Sequence, residues 1–144
     1  MLSYSIVRTL KLKSSEERLA DTIMYADAVS NDAHQRDSII REYHRIEDEL
    51  KRQPDFSKIF PKRYFWDTDM SRLHLEWDKD FIIVRGLLGN EDSFEENISN
   101  LERFYSKNDI VQALRTTGEL IDEKACFRVA NRYGLEKFYP GELR

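Results

Sequence analysis

Cysteine is nearly missing from this chain: Cys126 stands alone, which excludes an internal disulfide and a thiolate metal cluster. It sits in the apolar run Ala125-Cys126-Phe127 and reads as a small buried residue. Turn formers are scarce as well. Five glycines and three prolines in 144 residues are too few for a sandwich or barrel with many tight turns, so helices are favoured. The glycines never cluster, so no phosphate-cradling loop is written into the chain. No apolar run approaches the roughly 18 residues a membrane span requires. The N-terminal apolar run is too short for a signal peptide and lacks a small-residue cleavage site. A cytoplasmic protein is therefore expected.

A charge excess of one sign is also missing. With 23 basic and 27 acidic residues the net charge is −4. Residues 1–60 carry 10 basic and 11 acidic groups, and residues 61–144 carry 13 and 16. Neither half has the basic excess of a dedicated nucleic-acid binder, although overall charge can hide a local stripe. Charged residues at 35% together with 12% aromatic residues indicate a folded chain rather than a disordered one.

What is present is a series of helix starts. Ser14 with Glu17 has the form of a capping box, and Leu19, Ala20, Ile23 and Met24 follow at spacings of three and four. Asp32 with Gln35 opens a second helix, where Ile39, Ile40, Tyr43, Ile46 and Leu50 define an apolar stripe that Pro54 ends. Asp78 leads a helix through Phe81, Ile82, Arg85 and Leu88. Ser93 with Glu96, Ser106 with Asp109, and Asp122 open three more. Gly134 stops the last, which carries Ala125, Cys126, Val129, Ala130 and Tyr133 on one face. Residues 4–12 alternate in a way that favours a short strand. The expected fold is all-α, or mainly α with one short N-terminal strand. It has a long N-terminal helix or helical hairpin (1–53), a linker or docking segment (54–63) and a C-terminal bundle of short helices (64–144).

Chemical motifs are few. Asp67-x-Asp69-x-Ser71, closed by Asp78, imitates a calcium loop, but Arg72 stands where glycine is needed and Asp78 where a bidentate glutamate is needed. His34, His44 and His74 lack the pairing of a zinc helix. No nucleophile elbow or kinase signature occurs. No catalytic residue, metal site or cofactor is expected. Two features point to binding. Lys58, Lys62 and Arg63 interleave with Tyr64, Phe65 and Trp66, a pattern that can stack bases, but Phe65 and Trp66, with Phe81 and Phe104, read better as structural anchors. Truncating Trp66 would then cost about 3–5 kcal/mol. On the last helix Lys124, Arg128, Asn131 and Arg132 form a polar stripe opposite the apolar face. With Arg63 these are the candidate partner-binding residues. Helices 107–115 and 122–133 have a helix-turn-helix layout, yet Asp122 and Glu123 put acid at the end that would meet phosphates.

Residues 64–139 resemble a small bacterial domain family of unknown function. The likeness rests on Tyr64-Phe65-Trp66-Asp67-x-Asp69, Leu73, Asp80-Phe81-Ile82-Ile83-x-Arg85, Leu87-Leu88, Tyr105, Lys107, Ile110, Leu114, Leu120 and Lys124 to Phe127. The resemblance implies a helical domain often encoded beside AbiE-type nucleotidyltransferase toxins, hence an antitoxin or regulator. Residues 6–34 resemble the opening strand and helix of transposon-encoded RNA-guided nucleases, without any nuclease motif. The expected function is a non-catalytic binding or regulatory protein. It would be an accessory or neutralising partner in a bacterial defence, toxin–antitoxin or mobile-element system. The partner is another protein, met by an exposed apolar strip on the 32–52 helix. Nucleic acid and a second copy of the chain are the other partners considered, with no role for a membrane. The alternatives are a DNA-binding regulator using the 122–133 helix, and a small metal-dependent hydrolase or nuclease using Asp67, Asp69 and a histidine.

Overall fold

The structure, a computed structural model, describes residues 15–29, 32–89 and 92–144. The chain is all-α: among the described residues there are six α-helices and no strand. They are α1 (Ser15–Val29), α2 (Ala33–Lys51), α3 (Lys79–Gly86), α4 (Phe94–Glu102), α5 (Lys107–Thr116) and α6 (Glu123–Tyr133). Three short 3-10 turns, Phe56–Lys58, Lys62–Phe65 and Met70–Arg72, join α2 to α3. The strand expected at 4–12 and the cap expected at Ser14 lie outside the described residues. No described helix is long and apolar enough to cross a membrane.

The helix starts follow local chemistry. Ser106 and Asp109 form the complete reciprocal box at the head of α5. Asp32 and Asp122 cap α2 and α6 by accepting the amides of His34 and Lys124 at 2.9 Å. At α4 the expected box does not form: the Ser93 backbone (φ −105, ψ 6) is not in the extended region a cap requires, and its side chain makes no cap bond. The α6 stop is a Schellman motif, with Gly134 left-handed (φ 66) and the Leu135 amide donating to the Ala130 carbonyl at 2.9 Å.

The chain divides into two compact units. The first takes in the described residues up to Pro54 together with Asp67–Arg72. Here α1 packs along α2, and Ile39, Tyr43, Ile46 and Leu50 are buried. The strip expected as an exposed interface is therefore interior, because α2 has α1 as an in-chain neighbour. On α1 the face turned inward carries Thr22 and Ala26, while Met24 is exposed, so the expected stripe is displaced. Arg72, itself buried, donates both terminal guanidinium nitrogens to the Glu47 carboxylate.

The second unit holds Asp55–Trp66 and Leu73–Arg144. Helix α3 is its centre, packing on α4, α5 and the Lys62–Phe65 turn, and α6 packs on α5. Its apolar run Phe81 to Leu87 is buried almost all round, as a central helix requires. Phe56, Phe60, Tyr64 and Phe65 are buried, with Phe65 ringed by Phe60 and Phe81 at centroid distances of 6.1 and 5.8 Å. The tail after α6 returns to α5. The Gly141 and Leu143 amides donate to the Leu114 and Arg115 carbonyls at 2.9 and 2.8 Å, satisfying groups that the end of α5 leaves without helical partners. Gly141 is needed there: its φ is +69, and a β-carbon would lie 2.7 Å from the Thr117 carbonyl oxygen.

Candidate partner-binding surface

Helix α6 is strongly two-faced. Ala125, Cys126, Val129 and Ala130 are buried, and burial pushes the Cys126 thiol up to about 12. That leaves Lys124, Asn131 and Arg132 exposed and Arg128 half-buried on the outer side. Arg132 is held within the unit. Its guanidinium meets Glu95 and Glu102, each at 2.7 Å, and the Tyr133 hydroxyl donates to the same Glu102 carboxylate at 2.8 Å. The hydrogen bonds from Arg132 hold the Glu102 carboxyl below its ordinary value, and burial raises the Tyr133 hydroxyl above its own. The Arg128 guanidinium lies 5.9 Å from the centre of the Phe94 ring, within cation–π range. Together Phe94, Glu95, Arg128, Asn131 and Arg132 line an open cavity of about 330 Å³.

Three of the five candidate residues, Arg128, Asn131 and Arg132, are thus brought together. Lys124 is exposed one turn nearer the α6 start. Arg63 lies elsewhere in the unit, in a cavity of about 400 Å³ lined also by Tyr64, Leu88, Gly89, Asp92, Ser93 and Asp122. Its guanidinium rests 5.1 Å from the Tyr64 ring centre. Gly89 shapes that cavity: a β-carbon there would collide with the Tyr64 hydroxyl.

The anchors divide as well. Phe65 is wholly buried and Phe81 and Phe104 are half-buried, but Trp66 is 67% exposed and is not a core anchor. The geometry of the 3-10 turn explains this. With three residues per turn, positions i and i+3 eclipse, so Trp66 falls on the solvent side with Arg63 while Tyr64 and Phe65 turn inward. The Trp66 ring covers Arg85 instead. That arginine is buried, with its guanidinium carbon 4.3 Å from the Trp66 centroid and 4.6 Å from that of Phe81. It pairs with Glu119 at 2.9 Å and donates to the Tyr64 carbonyl at 3.2 Å. Leu120, next to Glu119, is fully exposed. Sequence reasoning missed Arg85 and Glu119. The available signal was a lone arginine inside the apolar run from Phe81 to Leu88, which has to find partners if that run is central.

The residues weighed for metal or hydrolytic chemistry are used in turns. Asp69 accepts from the Ser71 amide and hydroxyl at 3.0 and 2.7 Å, and Asp67 accepts from the Thr68 hydroxyl at 3.2 Å. Buried His74 accepts from the Glu76 and Trp77 amides through Nδ1 at 3.1 and 3.3 Å, and stacks on the Trp77 ring at 3.9 Å. Buried Asp78 accepts the His74 amide at 3.0 Å, closing the loop that leads into α3. The Tyr105 hydroxyl ties the same loop down by donating to the Leu75 carbonyl at 2.7 Å. Burial, reinforced by Asp78, Asp109 and Asp80, raises its pKa above the ordinary tyrosine value. His34 and His44 are exposed on α2. Among the described residues no three His, Cys, Asp or Glu side chains converge as metal ligands.

Residues 60–114 match a family described as being of unknown function, DUF6922. The matched segment runs from Phe60 to Leu114, so it includes the Trp66–Arg85 contact and stops before α6. No curated protein and no solved structure matches the chain.

Proposed function

We propose that this chain is a non-catalytic binding protein whose second unit grips a protein partner through the outer face of α6. The observation that carries the reading is the cavity of about 330 Å³ beside Phe94, rimmed by Arg128, Asn131, Arg132 and Glu95. An aromatic wall inside a rim of mixed charge is how protein interfaces combine an anchor pocket with polar surroundings. The rim charges are already balanced, because Arg132 is bound by Glu95 and Glu102. A phosphate backbone would have to displace those carboxylates, whereas a protein side chain can enter beside them. The acidic start of α6 at Asp122 and Glu123 argues the same way against a recognition helix.

The resemblance to a family often encoded beside AbiE-type nucleotidyltransferase toxins favours one setting: an accessory or neutralising partner in a bacterial defence, toxin–antitoxin or mobile-element system. Co-expression with an AbiE-type nucleotidyltransferase, followed by size-exclusion chromatography, tests this. Co-elution is expected. Arg128→Ala with Arg132→Ala should weaken the complex only several-fold, since rim charges chiefly tune association rate and salt sensitivity. A gel-shift titration on duplex DNA from the gene's own promoter, at two salt concentrations, is the opposing arm. Tight, salt-sensitive DNA binding that the double substitution abolishes would replace this reading with a DNA-binding regulator.

A further inference from the structure

The exposed Trp66 takes no part in the α6 face, and its setting has a chemistry of its own. One side of its indole is occupied by the Arg85 guanidinium at 4.3 Å, and two-thirds of the side chain is in solvent. Arg85 is fixed from behind by Glu119 and by the Tyr64 carbonyl, so the ring stands on a rigid support. Trp66 is therefore presented as a flat plate rather than as a loose side chain. The turn that carries it also carries exposed Lys62 and Arg63, with exposed Lys58 one turn of chain earlier. Lys58 is paired with Asp55 at 4.0 Å, Asp67 follows Trp66, and Asp92 and Asp122 line the cavity beside Arg63, so Lys62 is the cation of this turn with no carboxylate beside it among the described residues. The Glu119 carboxylate behind the plate is matched by Arg85, so the support adds no net charge.

From this geometry we infer a site for single-stranded nucleic acid, in which a base stacks on the outer face of Trp66 and Lys62 and Arg63 hold the flanking phosphates. The pairing of a pre-set aromatic plate with cations is what sequence-tolerant single-strand binding uses. The 3-10 geometry contributes by placing Arg63 and Trp66 on one side of the turn, about 6 Å apart along its axis. A duplex buries its bases against one another and offers the plate nothing to stack on. The site is distinct from the α6 face and stands or falls independently of it.

The test is fluorescence anisotropy of an end-labelled oligothymidine of about 16 nucleotides, titrated with the full chain at low and moderate salt. Wild type should bind the single strand, weaken as salt rises, and bind the matching duplex less tightly. Trp66→Ala should lose about five- to 150-fold in affinity, the range for removing one stacked base, while Trp66→Phe keeps part of it. Lys62→Ala with Arg63→Ala should flatten the salt slope by roughly 1.4 units, two phosphates at about 0.7 each on a single strand. Arg128→Ala with Arg132→Ala should bind the oligonucleotide like wild type. Circular dichroism and melting curves on each variant confirm that the fold is kept. If wild type fails to bind the strand at low salt, or Trp66→Ala binds as well as wild type, the site is not a nucleic-acid platform. Loss of a co-purifying protein on Trp66→Ala, without strand binding by wild type, would transfer the plate to a protein contact and overturn the inference.

Discussion

Phe65 and Trp66 are adjacent in the chain and opposite in setting, so truncating each in turn isolates what burial contributes. Phe65 is fully buried between Phe60 and Phe81. Phe65→Ala leaves a cavity among those rings, and large core truncations of this kind cost about 3–5 kcal/mol. Trp66 has only a third of its surface covered. If a tryptophan can bury up to about 250 Å², roughly 80 Å² is at stake, or about 2 kcal/mol at 25 cal/mol/Å². Part of that is returned, because removing the indole lets water reach the Arg85 guanidinium. Trp66→Ala should therefore cost about 1–2 kcal/mol. For a chain near this length each kcal/mol moves the melting temperature by roughly 2–4 °C, giving drops of about 6–20 °C for Phe65→Ala and 2–8 °C for Trp66→Ala. Differential scanning calorimetry is the assay, since it separates the transitions if the two units melt apart. Equal losses for the two variants, or a larger one for Trp66→Ala, would refute the assignment of Trp66 to the surface.

In the first unit the pair of buried Arg72 with half-buried Glu47 makes a second prediction. Glu47→Gln strands the buried Arg72 and should cost about 3 kcal/mol in urea denaturation, whereas Glu47→Leu with Arg72→Met recovers much of the loss; a neutral Glu47→Gln would contradict the pair. A third concerns high pH. Tyr105 and Tyr133 have raised pKa values in the folded state, so they stabilise the fold below the unfolded tyrosine value of about 10, and that stability is lost as pH rises beyond it. Ultraviolet titration should show these two hydroxyls ionising above the ordinary tyrosine value, and unfolding at alkaline pH should release both. Cys126, pushed up to about 12, should resist a disulfide reagent at neutral pH and react once the chain is denatured.

Helices were the most legible part of the sequence because their signals are local. The Ser106 and Asp109 box, the Asp32 and Asp122 caps and the Gly134 stop each concern a single turn of chain, and each stands where the pattern put it. Ser93 shows the limit of such signals. A capping box needs an extended backbone at its first residue, and the approach to α4 arrives in another conformation. The apolar stripe of α2 was correct as a stripe and wrong as an interface, since period alone does not say whether α1 will cover it.

The candidate site was legible only where it lay on one helix. Arg128, Asn131 and Arg132 share a face by spacing, but Phe94 and Glu95, which complete the cavity, arrive from α4 some thirty residues earlier. Arg85 and Glu119 are likewise 34 residues apart. Trp66 gives the clearest case. In an aromatic run such as Tyr64-Phe65-Trp66 every member is apolar enough for a core, and a 3-10 turn can bury only one side. Which two go inward depends on where Phe60, Phe81 and Arg85 are waiting, and that is tertiary information. The misplacement of Trp66 was therefore an error about neighbours, and correcting it exposes a fixed aromatic plate beside cations where a core residue was expected.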